Sequence, residues 1–177
     1  QALAALPGDG RVLIQADGQV KIVTPQVLGR LHLNDPCPVG DAPSPARVIL
    51  PIEPPPRLLA VSAGGRIAQV RWEFAGQQPG PIDRFLPTGL DGDPIVSLLS
   101  LPSQNIDELS LGLLSSDGRF KRLPLSEVVD LSGRATSVLK LKEGVELNSA
   151  VICRDQGTLM LISDIGRLLR LRVTEAV

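Results

Sequence analysis

Nine of the chain's 18 lysines and arginines fall within the six residues that follow four glycines, Gly18, Gly65, Gly118 and Gly166. They are Lys21 after the first, Arg66 and Arg71 after the second, Arg119, Lys121 and Arg122 after the third, and Arg167, Arg170 and Arg172 after the last. The same positions hold none of the 19 aspartates and glutamates. An even spread would place about two or three of each sign there. Cations recurring without acids are suited to a polyanion, because Arg and Lys pair with phosphates and release counterions. Charged strand faces also serve solubility and protect edges. A single cluster would be read that way, but four in register favour polyanion binding. The formal net charge of −1 does not oppose it, since acids elsewhere cancel the clusters only in the sum.

Catalytic chemistry has little support. His32 is the sole histidine and reads as an ordinary surface or strand residue. The carboxylates of "ADG", "LDGD" and "SSDG" sit at turns, where Asp bonds locally to the backbone. Calcium would need a denser set of oxygen ligands, and phosphate-loop and dinucleotide motifs are absent. Cys37 and Cys153 make neither a disulfide framework nor a metal site, and read as idle thiols in a reducing cytoplasm. No catalytic, metal or cofactor site is predicted.

The elements that must position the cations follow from the glycine spacing. The separations are 47, 53 and 48 residues, a near-constant period that marks a repeat architecture. Four residues before each glycine stand Ile14, Val61, Leu114 and Ile162, and two after it Val20, Ile67, Phe120 and Leu168. Five after it come Val23, Val70, Leu123 and Leu171. Short apolar runs around Asp-Gly, Gly-Gly or Ile-Gly predict hairpins, with glycine supplying the positive φ of the turn. The apolar positions after the turn are three apart, which predicts either burial on both faces or, preferably, a bulge in the second strand. Further strands are predicted at 46–52, 95–101, 135–141 and 149–153. "LPLSEVVDL" and "TPQVLGRL" could form a turn of helix, and "DPCPVGDAPSP" and "PIEPPP" read as connectors within the first repeat. The result is an all-β, propeller-like array of about four blades, with repeats near 9–56, 57–107, 108–156 and 157–177 in one domain spanning 1–177.

Composition agrees with such a domain. Hydrophobic residues make up 43%, aromatics only 2% with no tyrosine, so the core must be aliphatic. Seventeen glycines and 16 prolines indicate many turns and few long helices. No stretch approaches the ~18 apolar residues of a membrane span. "QALAALPGDG" has neither an initiator Met nor a basic leader, and reads as the start of a fragment cut from a longer chain.

"LGLLSSDGRFKRLPLSEV", "SGRATSVLKLKEGVEL" and "GTLMLISDIGRLLRLRVTEAV" together resemble the C-terminal domain of the A subunit of bacterial DNA gyrase and of topoisomerase IV. The segment Gly118–Arg122 matches that family's G-x-x-K-R element. "LDGD" at 90–93 and "LKEGVEL" at 141–147 match its L-x-x-G-D element, the second with Val for Asp. The resemblance implies a β-pinwheel, open or truncated at about four blades, with duplex DNA bent around a basic perimeter. It implies phosphate contacts from the basic residues after each glycine, with Arg134 of "SGRATS" a further candidate, and no reading of base sequence. It also implies partnership with the catalytic portion of the A subunit and the ATPase B subunit, a cytoplasmic, nucleoid-associated location, and no catalysis by this domain. The gyrase-type box Q-R-R-G-G-K-G is absent, so gyrase and topoisomerase IV both stay open. The other reading is a propeller-type protein-interaction module without DNA, against which the scarcity of aromatics weighs.

Overall fold

The computed structural model describes residues 11–15, 18–23, 46–51, 57–70, 80–131 and 133–175. Among them the regular elements are β-strands and short 3-10 turns, with no α-helix. In chain order the strands begin with β1 (Arg11–Gln15), β2 (Gln19–Val23), β3 (Ala46–Pro51), β4 (Leu58–Ser62) and β5 (Arg66–Gln69). There follow β6 (Gly80–Pro81), β7 (Ile95–Ser100), β8 (Leu109–Ser115) and β9 (Phe120–Pro124). The last are β10 (Thr136–Ser137), β11 (Leu147–Arg154), β12 (Thr158–Ile162) and β13 (Leu168–Arg172).

Each anchor glycine closes an antiparallel hairpin: β1–β2, β4–β5, β8–β9 and β12–β13. Gly18, Gly65, Gly118 and Gly166 all take φ near +80°, where a side chain would clash with its own backbone. Around each hairpin a sheet is assembled, in the orders β3-β1-β2-β6, β10-β5-β4-β7, β11-β8-β9 and β12-β13.

Two compact units are present. One comprises Gln1–Arg57 with Val70–Pro87, and the other Leu58–Gln69 with Thr88–Val177. The first unit holds the first sheet, in which Ile14 and Val20 are buried. The second holds the other three sheets.

A repeated exchange sets the topology. A strand after each of the first three hairpins returns to its first strand, β3 directly to β1, and β7 to β4 and β11 to β8 after one short intervening strand. The second strand takes a two-residue partner from further on. β6 follows β5 in sequence but pairs with β2, and β10 follows β9 but pairs with β5. A sheet is therefore completed by residues belonging to the next repeat.

The bulge expected in the second hairpin strand is not there. β4–β5, β8–β9 and β12–β13 pair in unbroken register. β5 is instead buried on both faces, with Ile67 and Ala68 adjacent and both inaccessible. The irregularities lie on the other flank, at one place in three sheets. The register skips Arg47 opposite Ile14 and Gln15, Val96 opposite Val61 and Ser62, and Asn148 opposite Leu114 and Ser115. Of the strand predicted at 135–141 only Thr136–Ser137 forms, and "LPLSEVVDL" makes a 3-10 turn at Leu125–Glu127. "TPQVLGRL", "DPCPVGDAPSP" and residues 52–56 lie outside the described residues.

The core of the second unit is aliphatic. Leu59, Val61 and Ile67 share one face of the second sheet and pack with Leu111, Leu113, Leu125 and Leu147. Leu123, Ala150 and Ile152 of the third sheet close the cluster. Each such side chain contributes about 1.5–3 kcal/mol on full burial. A hydrogen bond from the Ala150 N–H to Ser97 Oγ at 2.9 Å ties the two sheets at this face.

Candidate nucleic-acid interface

Three turns in the second unit are built alike. Ser62, Ser115 and Ser163 each stand three residues before the glycine, and each serine carbonyl accepts the glycine N–H, at 3.2, 3.0 and 3.0 Å. The hydroxyls of Ser62 and Ser163 also accept the N–H of Arg66 and Arg167, both at 3.0 Å. The shared pattern S-x-x-G-R thus places an arginine as the first residue out of each turn. Arg66, Arg119 and Arg167 are all exposed there.

Two acids near these turns, Asp93 and Asp117, are engaged. Asp93 Oδ2 accepts the Ser62 hydroxyl at 2.7 Å, and its Oδ1 accepts the Gly64 N–H at 2.8 Å. The Ser115 hydroxyl donates to Asp117, whose second oxygen lies 3.2 Å from Arg119 Nε. The Ser115 hydrogen bond, helped by the Arg119 charge, holds the Asp117 carboxyl below the usual carboxylate range.

Residues 138–147 join the second and third turns. Val138 and Leu139 donate to the Gly65 carbonyl at 3.0 and 3.4 Å, and Leu147 donates to that of Ala63 at 2.8 Å. At the other side Ser116 donates to the Glu146 carbonyl at 2.8 Å, and the Glu146 N–H returns a bond to Ser116 Oγ at 3.2 Å. The segment carries Lys140 and Lys142, both exposed. A cleft of about 690 Å³ on one side is bordered by Gly64, Arg66, Asp91, Asp93, Lys140 and Glu146. A smaller one of about 280 Å³ on the other side is bordered by Asp117, Arg119, Phe120, Lys121, Lys140 and Lys142. Lys121 Nζ reaches the Val138 carbonyl at 3.4 Å. Arg66 Nη1 donates to the Gly89 carbonyl at 2.7 Å, and the neighbouring Thr88 carbonyl accepts the Ala135 N–H beside Arg134.

Arg134, Arg66, Lys140, Lys142, Lys121 and Arg119 therefore form one strip across the turn ends of two sheets. Lys140 borders both clefts. The smaller cleft carries four cations, Arg119, Lys121, Lys140 and Lys142, against the single acid Asp117, whereas the larger carries Arg66 and Lys140 beside Asp91, Asp93 and Glu146.

The remaining sequence-derived positions lie elsewhere. Arg122 is adjacent to Lys121 and so points to the opposite face of β9, where its Nη1 lies 3.3 Å from Asp155 Oδ1. The Ser110 hydroxyl donates to the same carboxylate. Cys153 lies beside this pair, and burial, then the Asp155 charge, raise its thiol above the ordinary range. Arg170 and Arg172 are exposed along β13, opposite Met160 and Thr158. Lys21 lies on β2 opposite Leu13, and Arg71 is outside the described residues. Lys140 and Lys142 escape a count confined to the residues after each glycine. The signal for them is the K-x-K of "LKLKEG".

The family described as DNA gyrase C-terminal domain, beta-propeller matches residues 113–154. Among solved structures, the C-terminal domain of DNA topoisomerase IV superposes with a TM-score of 0.70 at 13% identity, covering 97% of this chain and 54% of that one. The E. coli ParC C-terminal domain gives 0.65 at 15% identity, covering 94% and 65%. The DNA gyrase A C-terminal domain gives 0.66 at 16% identity, covering 91% and 53%. No curated protein matches the chain. The chain spans between 53% and 65% of the length of these structures. The resemblance to the C-terminal domain of the gyrase and topoisomerase IV A subunits is borne out. The fold is the all-β pinwheel of those domains.

Proposed function

We propose that this chain binds duplex DNA through its turn-end cations and bends or wraps it without reading sequence, as the accessory C-terminal domain of a type IIA topoisomerase A subunit. The observation that carries the reading is the strip itself. Arg66, Arg119 and Lys121 at the ends of two hairpins are linked by the Lys140–Lys142 segment, which is hydrogen-bonded to both turns. A track of fixed cations suits a rigid polyanion whose charges recur at regular spacing. Smooth bending of a short duplex costs on the order of 1–6 kcal/mol, which added phosphate contacts offset. The DNA cleavage would belong to the catalytic portion of the A subunit, with the ATPase B subunit as the further partner, in the cytoplasm. The tyrosine that type II topoisomerases use as nucleophile has no counterpart here, since the chain contains none.

The test is the affinity for a long linear duplex measured over a range of salt. Log affinity should fall linearly with log salt, by about 0.9 per phosphate neutralised. Simultaneous reversal of Arg119, Lys121, Lys140 and Lys142 to Glu should abolish binding while circular dichroism stays unchanged. Salt-independent binding, or normal binding by the folded variant, would refute the reading.

A further inference from the structure

The loops that brace the second and third turns match bond for bond but differ in one side chain. Asp93 and Val145 each follow a glycine in the left-handed region, Gly92 at φ 73° and Gly144 at φ 76°. Their N–H groups donate to the Leu90 and Lys142 carbonyls, both at 3.0 Å. The next carbonyls, of Pro94 and Glu146, accept the N–H of Ala63 and Ser116, both at 2.8 Å. On this shared backbone the third turn has a valine where the second has the carboxylate that bridges Ser62 and Gly64.

That exchange changes what the smaller cleft can hold. Leu139, Leu141 and Val145, all half-buried, give it an apolar wall. Around the wall stand its four cations, and its one acid, Asp117, is bonded to Ser115 and Arg119. Phosphate contacts account for the cations and leave the wall unused. A paired duplex has nothing to lay on it, because its bases are stacked inside and only sugar, phosphate and groove edges face outward. An unpaired base does have a free apolar face. At about 280 Å³ the cleft lies near the lower end of ligand-sized cavities, with room for one compact group that carries charge and apolar surface together.

We propose that this cleft binds one nucleotide, with the base against Leu139, Leu141 and Val145 and the phosphate among Arg119, Lys121, Lys140 and Lys142. The nucleotide is either free or an unpaired residue at the end of a strand, and the two share this chemistry. The larger cleft at the second turn is no second copy of the site, since it sets Asp91, Asp93 and Glu146 against Arg66 and Lys140. Although the same cations serve both, the inference does not rest on duplex binding, because it requires the wall as well.

The test follows amide NMR shifts of the chain on addition of adenosine monophosphate, with adenosine and inorganic phosphate as controls. Residues 117–121 and 139–145 should shift, and adenosine monophosphate should bind about tenfold or more tightly than either control. Val145→Asp, which introduces the carboxylate that the second turn accommodates, should abolish the shifts. Val145→Thr, which keeps shape and charge, should weaken binding about threefold. A blunt duplex and the same duplex with an unpaired 3′ overhang then separate the sources. Tighter binding of the overhang that Val145→Thr removes assigns the cleft to a strand's unpaired residue, and equal binding assigns it to the free nucleotide; the shifts support the proposal in both cases. Shifts matched by inorganic phosphate alone would overturn it. So would shifts produced by an acidic, leucine-bearing peptide and not by adenosine monophosphate. Absence of blunt-duplex binding with the shifts intact would sink the duplex reading and leave this one standing.

Discussion

At the scale of single residues, a serine three residues before the glycine builds three of the four turns, and Asp93 and Asp117 brace two of them. Ser115 and Arg119 both stabilise the Asp117 carboxylate over its acid form, with the serine bond the larger effect. A carboxyl whose folded value is depressed contributes stability above its unfolded range, and that contribution is lost as pH falls through the folded value. Asp117→Asn should therefore lower the unfolding midpoint slightly near neutral pH. The difference from the parent chain should shrink as pH falls below the usual carboxylate range and vanish only below the depressed folded value. Paired thermal scans across that range check it; a gap that persists at low pH would mean that the effect is not electrostatic. Asp93 has a different role at the neighbouring turn. Its two oxygens bridge Ser62 and Gly64, so its charge is spent on the turn and not on Arg66.

At the scale of elements, the four glycines are alike in φ but not in surroundings. A Cβ on Gly65 would stand 2.7 Å from the Leu139 carbonyl oxygen, whereas one on Gly118 would meet nothing within 4 Å. Left-handed backbone alone costs a non-glycine residue about 1–2 kcal/mol. Gly118→Ala should cost about that much, and Gly65→Ala clearly more, because the Leu139 segment must also move. Denaturant titration of the two variants measures the difference, and equal losses would show that the 138–147 segment yields freely. The hairpins were legible in the sequence because glycine and flanking apolar residues encode them locally. The two-residue strands β6 and β10 were not, since Gly80–Pro81 and Thr136–Ser137 carry no periodicity and pair only with partners far away in sequence. The register skips at Arg47, Val96 and Asn148 were equally hidden. They are set by the partner strand, and in β5 the apolar spacing that hinted at a bulge instead reflects burial on both faces.

At the scale of the molecule, a formal charge of −1 coexists with a cation strip because acids elsewhere cancel it in the sum, while Asp93 and Asp117 beside it are tied to hydroxyls and an amide. If the strip is a phosphate track, Lys140→Ala and Lys142→Ala should each reduce the salt slope of DNA affinity by about one. Arg122→Ala should leave it nearly unchanged, since Asp155 already neutralises that guanidinium. Slopes from filter binding or anisotropy separate the cases, and an equal loss at Arg122 would place the DNA on the other face of β9. The cation excess was readable from sequence. The division between Lys121 and Arg122 was not, because Asp155 lies 33 residues from its partner. The exchange of β6 and β10 also bears on how such a chain can change length. Excising one repeat at its sequence boundaries would strip the short outer strand from the sheet before it and leave its own outer strand without a host. Loss of a unit would therefore require the short strand of the following repeat to take the vacated edge of the sheet before the cut.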